Sequence, residues 1–415
     1  MSAATQRELD RYTSVGNPSS FYPEAQDAKN AIDARTKQVL SKVLGGVNVY
    51  EQFQVIFTSG ASEANATFLR MVKDAFDRQE RRPVSLGVLT SAVEHHSMLA
   101  AVKHTPQIRS VTVDPGPDGV VSTQVVNEVL NNAPFIQLVS IMSANNETGA
   151  INPVNSIGRA AHAHRAIFHT DATQTFGKLT HQSYQSVDAL SMSFHKVYGP
   201  IGVGMLLIKK SVVRELDLQA VIPGTQNDGL RGGTVNAALI MAGLHALDET
   251  WHGRAKKNAH LRQFQNCLIK DMRSAFHGHL AWFEDFVSRA DKSQAFAGTW
   301  VLVFGPKAQS KRLPNTLQFT VYDHGRSQRE KLCNVRLRSC LHELYGIVVS
   351  IGSACLTSSK AASHVLDALV GPVPPQFRAF VKSGVIRVSF GDHNTQADCK
   401  TFVDALTQCV QAQYR

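Results

Sequence analysis

The residue types best able to do chemistry in this 415-residue chain gather in a few short clusters. Lys196 lies in Ser193-Phe-His-Lys-Val-Tyr-Gly-Pro200, directly after an apolar run. A lysine amine becomes a nucleophile, and forms Schiff bases with aldehydes, when neighbours or desolvation lower its pKa. Asp171 closes another apolar run, in His169-Thr-Asp-Ala-Thr-Gln174. An acid there can bind a metal, cap a helix or pair with a ring nitrogen. Metal binding needs companion carboxylates, and the polar clusters offer few, Glu147 among them; no metal site is expected. Phe57-Thr-Ser-Gly-Ala-Ser-Glu-Ala-Asn65 runs from a strand pattern through small residues into a helix pattern. Backbone N–H groups at such a helix start can cradle a phosphate. The spacing is neither a dinucleotide fingerprint nor a Walker loop, and an ordinary capped helix reads the same way. A phosphate cradle, an acid suited to a pyridinium and a lysine together match the parts of a pyridoxal phosphate (PLP) site.

The elements that must position these groups follow from periodicity. Short apolar runs at Val55–Phe57, Ser85–Leu89, Phe135–Met142, Ala166–His169, Ala189–Ser193 and Val203–Ile208 predict strands. Between them, Glu63–Phe76 puts Ala64, Phe68, Met71, Val72 and Ala75 on one helical face. This alternation predicts an α/β fold with a mostly parallel sheet covered by helices. In such sheets ligands gather at the carboxyl ends of the strands, and there the polar clusters fall: 58–62, 94–96, 145–149, 171–174 and 193–196. After about residue 245 the pattern changes to a long polar helical stretch, 248–276, and then a strand-and-helix mixture. The expected division is a large domain over 1–245 and a smaller C-terminal α+β domain over 246–415.

With 43% hydrophobic and 18% charged residues the composition is that of a globular chain and excludes a disordered one. The net charge of +10 is spread along the sequence, with concentrations at 78–82, 307–312 and 326–338. They lack the aromatic interleaving of a nucleic-acid platform, so a solvated basic surface is expected and direct nucleic-acid binding is not. Of six cysteines none forms a CxxC pair. Cys267, Cys333, Cys340, Cys399 and Cys409 read as small buried hydrophobes. No signal-peptide core or membrane-length apolar run is present, so a reduced, cytoplasmic protein is expected. Glycosylation sequons at Asn65 and Asn146 carry little meaning in that setting.

The whole series of motifs resembles the NifS/IscS-type cysteine desulfurases, within the class V, fold-type I PLP enzymes. It runs in order from GNPSS (16–20) through FTSGASEAN, VEHHSML, SANNETGAINPV, FHTDATQTFGKL, SMSFHKVYGPIGVG, GLRGGT, PNTLQF and GSAC to IRVSFG (386–391). The resemblance implies a fold-type I transferase with a seven-stranded-type sheet, acting as a homodimer. It implies that Lys196 holds PLP as a Schiff base and moves the Cα proton, that Asp171 pairs with the pyridine nitrogen, and that His95 stacks on the ring. Gln174 and Asn146 would touch the ring oxygen or its surroundings. Ala61, Ser62, Ser193 and His195 would hold the phosphate, with Thr234 reaching it from the other subunit. Arg387 would clamp the substrate carboxylate, with Asn146 nearby, and Cys355 would take sulfur from L-cysteine as a persulfide.

The same resemblance implies a sulfur-acceptor protein as partner, such as an iron–sulfur scaffold or a tRNA-thiolation protein. Selenocysteine lyase, cysteine sulfinate desulfinase and a weakly active PLP-binding scaffold are the alternative roles. Departures from the family pattern are an expected loss of its N-terminal strand, Tyr22 in place of a histidine and Ser62 in place of a threonine. Further departures are Ile351 and Leu356 beside Cys355, and a diverged stretch over 282–309.

Overall fold

Six strands run parallel in one sheet, and a seventh lies antiparallel between two of them. They are β1 (Phe53–Thr58), β2 (Leu86–Ser91), β3 (Ile108–Val113), β4 (Ile136–Ser140), β5 (Ile167–Asp171), β6 (Ala189–Ser193) and β7 (Gly204–Lys209), ordered β1-β7-β6-β5-β4-β2-β3. Pairing is parallel from β3 to β6, while β7 runs antiparallel to both β6 and β1. The computed structural model describes residues 1–80, 84–179, 184–288, 298–323, 332–352, 363–373, 378 and 381–413.

Strands covered on both faces read as continuous apolar runs, and β2 and β6 are buried throughout. All six predicted strands are present, each end within two residues of its expected position. β3 is an addition: it is an edge strand in which only Val113 is buried, so its sequence carries no apolar run. The predicted helix extends over Ala61–Gln79, and Phe68, Met71 and Val72 join Ile56, Leu206 and Ile208 in one core.

The chain divides into two units. The first comprises Met1–Val113, Thr123–Ser143 and Pro153–Ala255; the second comprises Asp114–Ser122, Ala144–Asn152 and Lys256–Arg415. The expected boundary at 245/246 falls inside a single helix, Ala237–Ala275. The division at 255/256 falls inside the same helix, ten residues farther on. Two short excursions, 114–122 and 144–152, belong to the second unit and had no compositional sign.

The second unit holds a four-stranded sheet of β8 (Leu280–Trp282), β9 (Thr299–Phe304), β10 (Thr316–Asp323) and β11 (Val385–Ser389), ordered β11-β10-β9-β8. Leu268, Met272, Val303, Phe319, Ile386 and Phe402 pack in its core. Part of the diverged stretch 282–309 thus supplies a core strand, β9. Two expectations are corrected here. Cys340 and Cys409 form a disulfide, because the helices Asn334–Tyr345 and Gln396–Gln413 bring them together across 69 residues of sequence. Cys399 is buried as expected, while Cys267 and Cys333 are half-buried. Arg312, within a predicted solvated basic cluster, is only 1% exposed. Its guanidinium lies over the Trp282 ring at 4.4 Å and donates to Gln265 Oε1 at 3.0 Å and to the Pro306 carbonyl. Burial pushes its pKa down to about 10, with the Arg262 charge adding to the effect.

Candidate active site

In the first unit, β1 stops at Thr58 and the helix Ala61–Gln79 begins after a two-residue turn. Thr58 Oγ1 donates to the Gly60 carbonyl at 2.9 Å, and the Glu63 carboxylate folds back to accept the Ser59 N–H at 2.6 Å. The Ala61 N–H donates to Ser193 Oγ at 2.7 Å, joining the small-residue turn to the end of β6. This approach requires glycines: a Cβ on Gly204 would lie 2.5 Å from Gly60 Cα. Ser62 is exposed in the first helical turn. Arg231 Nε donates to Glu63 at 2.8 Å, which fastens the Gly229–Thr234 stretch to the same helix. Burial pushes the Glu63 carboxyl up, but hydrogen bonds from Arg231 and Ser59 hold it below its ordinary value. Thr234 is exposed.

β5 ends on Asp171, buried to 5% exposure. Its Oδ1 accepts the Thr173 N–H at 3.0 Å and its Oδ2 accepts Asn65 Nδ2 at 2.9 Å. Asn65 also donates to Ser97 Oγ at 3.0 Å, and that hydroxyl lies 2.8 Å from His95 Nδ1. His95 is the N-cap of the helix His96–His104 and accepts the Ser97 N–H. One hydrogen-bonded chain therefore links His95, Ser97, Asn65 and Asp171. Asn65 is fully buried, which removes it as a glycan acceptor. Its role escaped the sequence because an asparagine early in a helix reads as a surface residue.

Two further titratable groups lie near the acid. His169 is buried between Ser140 Oγ at 2.8 Å and Ser191 Oγ at 2.9 Å, stacked on Phe68. Burial pushes its pKa down to about 4, although the Asp171 charge acts in the opposite direction. Glu94 is buried and accepts from Ser91 Oγ at 2.6 Å and from the Met142 N–H at 2.9 Å. Burial pushes its carboxyl up to about 8, and the Asp171 charge adds to the shift. A raised acid pKa means the folded state holds its proton longer than the unfolded chain. That stabilisation is complete below about pH 4.5 and is lost as pH rises through about 8. Glu94→Gln should therefore raise the melting temperature at pH 9 relative to the parent and change it little at pH 5. Equal shifts at both values, read by scanning calorimetry, would contradict a protonated buried Glu94.

After β6 the chain enters a 3₁₀ turn, Phe194–Val197, closed by Tyr198 in the left-handed region at φ 65°. Phe194 and Val197 are buried, and Thr250 Oγ1 donates to the Val197 carbonyl at 3.1 Å. A Cβ on Gly243 would lie 2.7 Å from the Phe194 ring, so the helix beneath passes close. The turn is clamped from below while His195 and Lys196 are exposed. Lys178, on the turn after β5, donates to Gln174 Oε1 at 3.4 Å. Burial and the Lys196 charge bring its pKa down to about 7. Burial and the charges of Lys196 and Lys178 also lower His195. Lys178 was not singled out from sequence, where one more lysine carries no signal.

The predicted residues Asn146 and Arg387 lie in the second unit. Arg387, on β11, donates from Nη1 to the Asn146 carbonyl at 3.2 Å. Asn146 is half-buried. Cys355 lies outside the described residues.

No helix among the described residues is long and apolar enough to cross a membrane. Residues 2–275 match the family Aminotransferase class-V. A cysteine desulfurase of Cereibacter sphaeroides is 31% identical over 405 residues, covering 95% of this chain and 88% of the relative. The cysteine desulfurase IscS of Clostridium botulinum is 30% identical over 404 residues, covering 95% and 87%. Among solved structures, a NifS-like protein superposes with a TM-score of 0.78 at 24% identity, covering 99% of this chain and 96% of its own, a likeness of fold. Another, SspA in complex with cysteine, gives a TM-score of 0.68 at 26% identity, covering 95% and 97%. The chain belongs to the class-V aminotransferase family, in the branch that contains the cysteine desulfurases.

Proposed function

We propose that this protein is a PLP-dependent cysteine desulfurase that moves the sulfur of L-cysteine onto Cys355 and releases L-alanine. The observation that carries the reading is the convergence of three groups at neighbouring strand ends of one sheet: the Ala61–Ser193 turn, the fixed acid Asp171, and Lys196. These residues fit the cofactor. The turn opens a 19-residue helix whose first amides suit a phosphate, and Gly60 puts no side chain in the cup. Asp171 is held at both oxygens by donors that fix its direction, as a partner for a protonated ring nitrogen requires. Bound there, PLP supplies an electron sink for the carbon that gives up its proton.

In this reading the Lys196 amine holds the cofactor and then moves the substrate Cα proton. His95, oriented by Ser97, would stack on the ring and share in proton transfer, and Gln174 and Asn146 would serve the ring oxygen or its surroundings. Ala61, Ser62, Ser193 and His195 hold the phosphate, and Thr234 serves the phosphate of a second copy of the chain. The Arg387 guanidinium offers a planar pair of donors to the substrate carboxylate. The Cys355 thiolate attacks the substrate sulfur, the Cβ–S bond breaks, and the sulfur stays on Cys355 as a persulfide. An acceptor protein or a thiol reductant then removes it.

The test is the visible spectrum of purified protein before and after L-cysteine, with alanine and sulfide assayed together under thiol reductant. A spectral change with matched alanine and sulfide is expected. Alanine from L-selenocysteine alone would reassign the substrate, and no product from either would leave a cofactor-binding protein without this activity.

A further inference from the structure

The helix Gln396–Gln413 carries two cysteines, and each faces a cysteine on a different neighbouring helix. Cys409 is joined to Cys340 on the helix Asn334–Tyr345. Cys399 meets Cys267 on the helix Ala237–Ala275, and this pair stands as two thiols. Cys399 and Cys409 are about 2.8 helical turns apart, which points their side chains about 80° away from each other. One helix thus offers a sulfur to each of two packing partners, all within residues 256–415 of the second unit.

The contact between the two thiols is built into the seam. On the helix Ala237–Ala275, Phe264, Cys267, Leu268 and Asp271 are spaced by three and four residues and share one face. Cys399 Sγ donates to the Phe264 carbonyl at 3.5 Å and hydrogen-bonds the Cys267 sulfur. Cys267 Sγ in turn donates to Asp271 Oδ2 at 3.5 Å. Cys399 is fully buried in the core with Phe264, Leu268 and Phe402, whereas Cys267 is half-buried against that core. A reagent arriving from solvent therefore meets Cys267 first, with Cys399 behind it. Burial raises the Cys267 pKa; the Asp271 carboxylate adds to this, and the Cys399 hydrogen bond and the Lys270 charge oppose it. Burial also pushes Cys399 up to about 12, with Cys267, Asp271 and Asp398 adding to the shift. Both groups are thus held as thiols at neutral pH, where thiolate attack is slow.

We propose that Cys267 and Cys399 are a redox modification site, which a low-molecular-weight disulfide such as oxidised glutathione converts into a second disulfide joining the helices Ala237–Ala275 and Gln396–Gln413. The Cys267 thiolate attacks one sulfur of the reagent, whose S–S bond breaks and releases one glutathione thiolate. Cys399 then loses its proton to solvent and attacks the Cys267 sulfur of the mixed disulfide, expelling the second glutathione thiolate. Each released thiolate takes up a proton. Two protein thiols are oxidised and one reagent disulfide is reduced to two thiols. The new bond closes a loop nearly twice as long as the 69 residues between Cys340 and Cys409, and the stabilisation from a disulfide grows with the loop it closes.

The experiment incubates the purified full chain with oxidised glutathione, blocks the remaining thiols with N-ethylmaleimide in denaturant, and maps the unreduced digest by mass spectrometry. A peptide pair linked through Cys267 and Cys399 is expected beside an unchanged Cys340–Cys409 link. The melting temperature should rise by about 5 °C or more. Cys267→Ser should leave Cys399 open to alkylation and abolish the rise, and Cys399→Ala should stop at the glutathione adduct of Cys267. Asp271→Asn, which removes a charge that opposes the thiolate, should speed the link severalfold. In the parent, an adduct that persists on Cys267 while Cys399 remains alkylated would overturn the proposal. So would a link from either cysteine to Cys333, or a Cys267 that stays unmodified after Cys333 has reacted. A rise in melting temperature that survives in Cys267→Ser would overturn it as well.

Discussion

Lys196→Ala should leave a folded protein without visible cofactor absorbance and without sulfide release. The side chain is exposed on a turn whose packing depends on Phe194 and Val197, so removing it should change stability by no more than about 0.5 kcal/mol. The chemical loss is of another order. In the proposed function the amine both tethers the cofactor and moves the proton, and positioned proton transfer alone contributes about a hundred- to ten-thousandfold. Thermal unfolding and absorbance measured on the same sample separate these effects. Absorbance that survives in Lys196→Ala would mean that another amine forms the Schiff base. Lys178, with its pKa brought down to about 7, is then the residue to replace.

Cys355→Ala is the complementary case. This variant should bind the cofactor as the parent does and show the early spectral change with L-cysteine, since the groups proposed to hold the cofactor do not include the thiol. Sulfide and alanine should fall together to background, because the Cβ–S bond breaks only when a thiolate accepts the sulfur. Retained sulfide release would remove Cys355 from the reaction and direct attention to direct elimination.

The parts of this site that were legible in the sequence are those where an apolar run stops on a polar residue. Asp171 and Ser193 sit at such stops because the sheet is buried on both faces, so its composition changes abruptly at the strand ends. Asn65 and Lys178 gave no such signal, and Glu94 was legible only as one member of the 94–96 cluster. Their importance comes from burial and from partners distant in sequence: Asn65 meets Asp171 from 106 residues away. The Cys340–Cys409 pair was hidden for the same reason, since spacing does not reveal that two helices lie side by side. Strand β3 escaped because a solvent-facing edge needs no apolar run.

The strand order has a consequence for how the protein acquires its cofactor during synthesis. β1 is the first strand made, yet its sheet neighbour is β7, the last of the seven. The Ala61–Ser193 bond spans 132 residues. Until the chain through Lys209 has been made and folded back, β1 has no partner and the turn at Gly60 has no opposing hydroxyl. Closing contacts of such long sequence separation is entropically late and slow. The cofactor of the proposed function thus meets its full set of ligands only after the seven strands have been made. It captures a sheet already complete, and its binding then adds stability by mass action, so cofactor shortage should shorten the lifetime of the folded protein rather than block its folding.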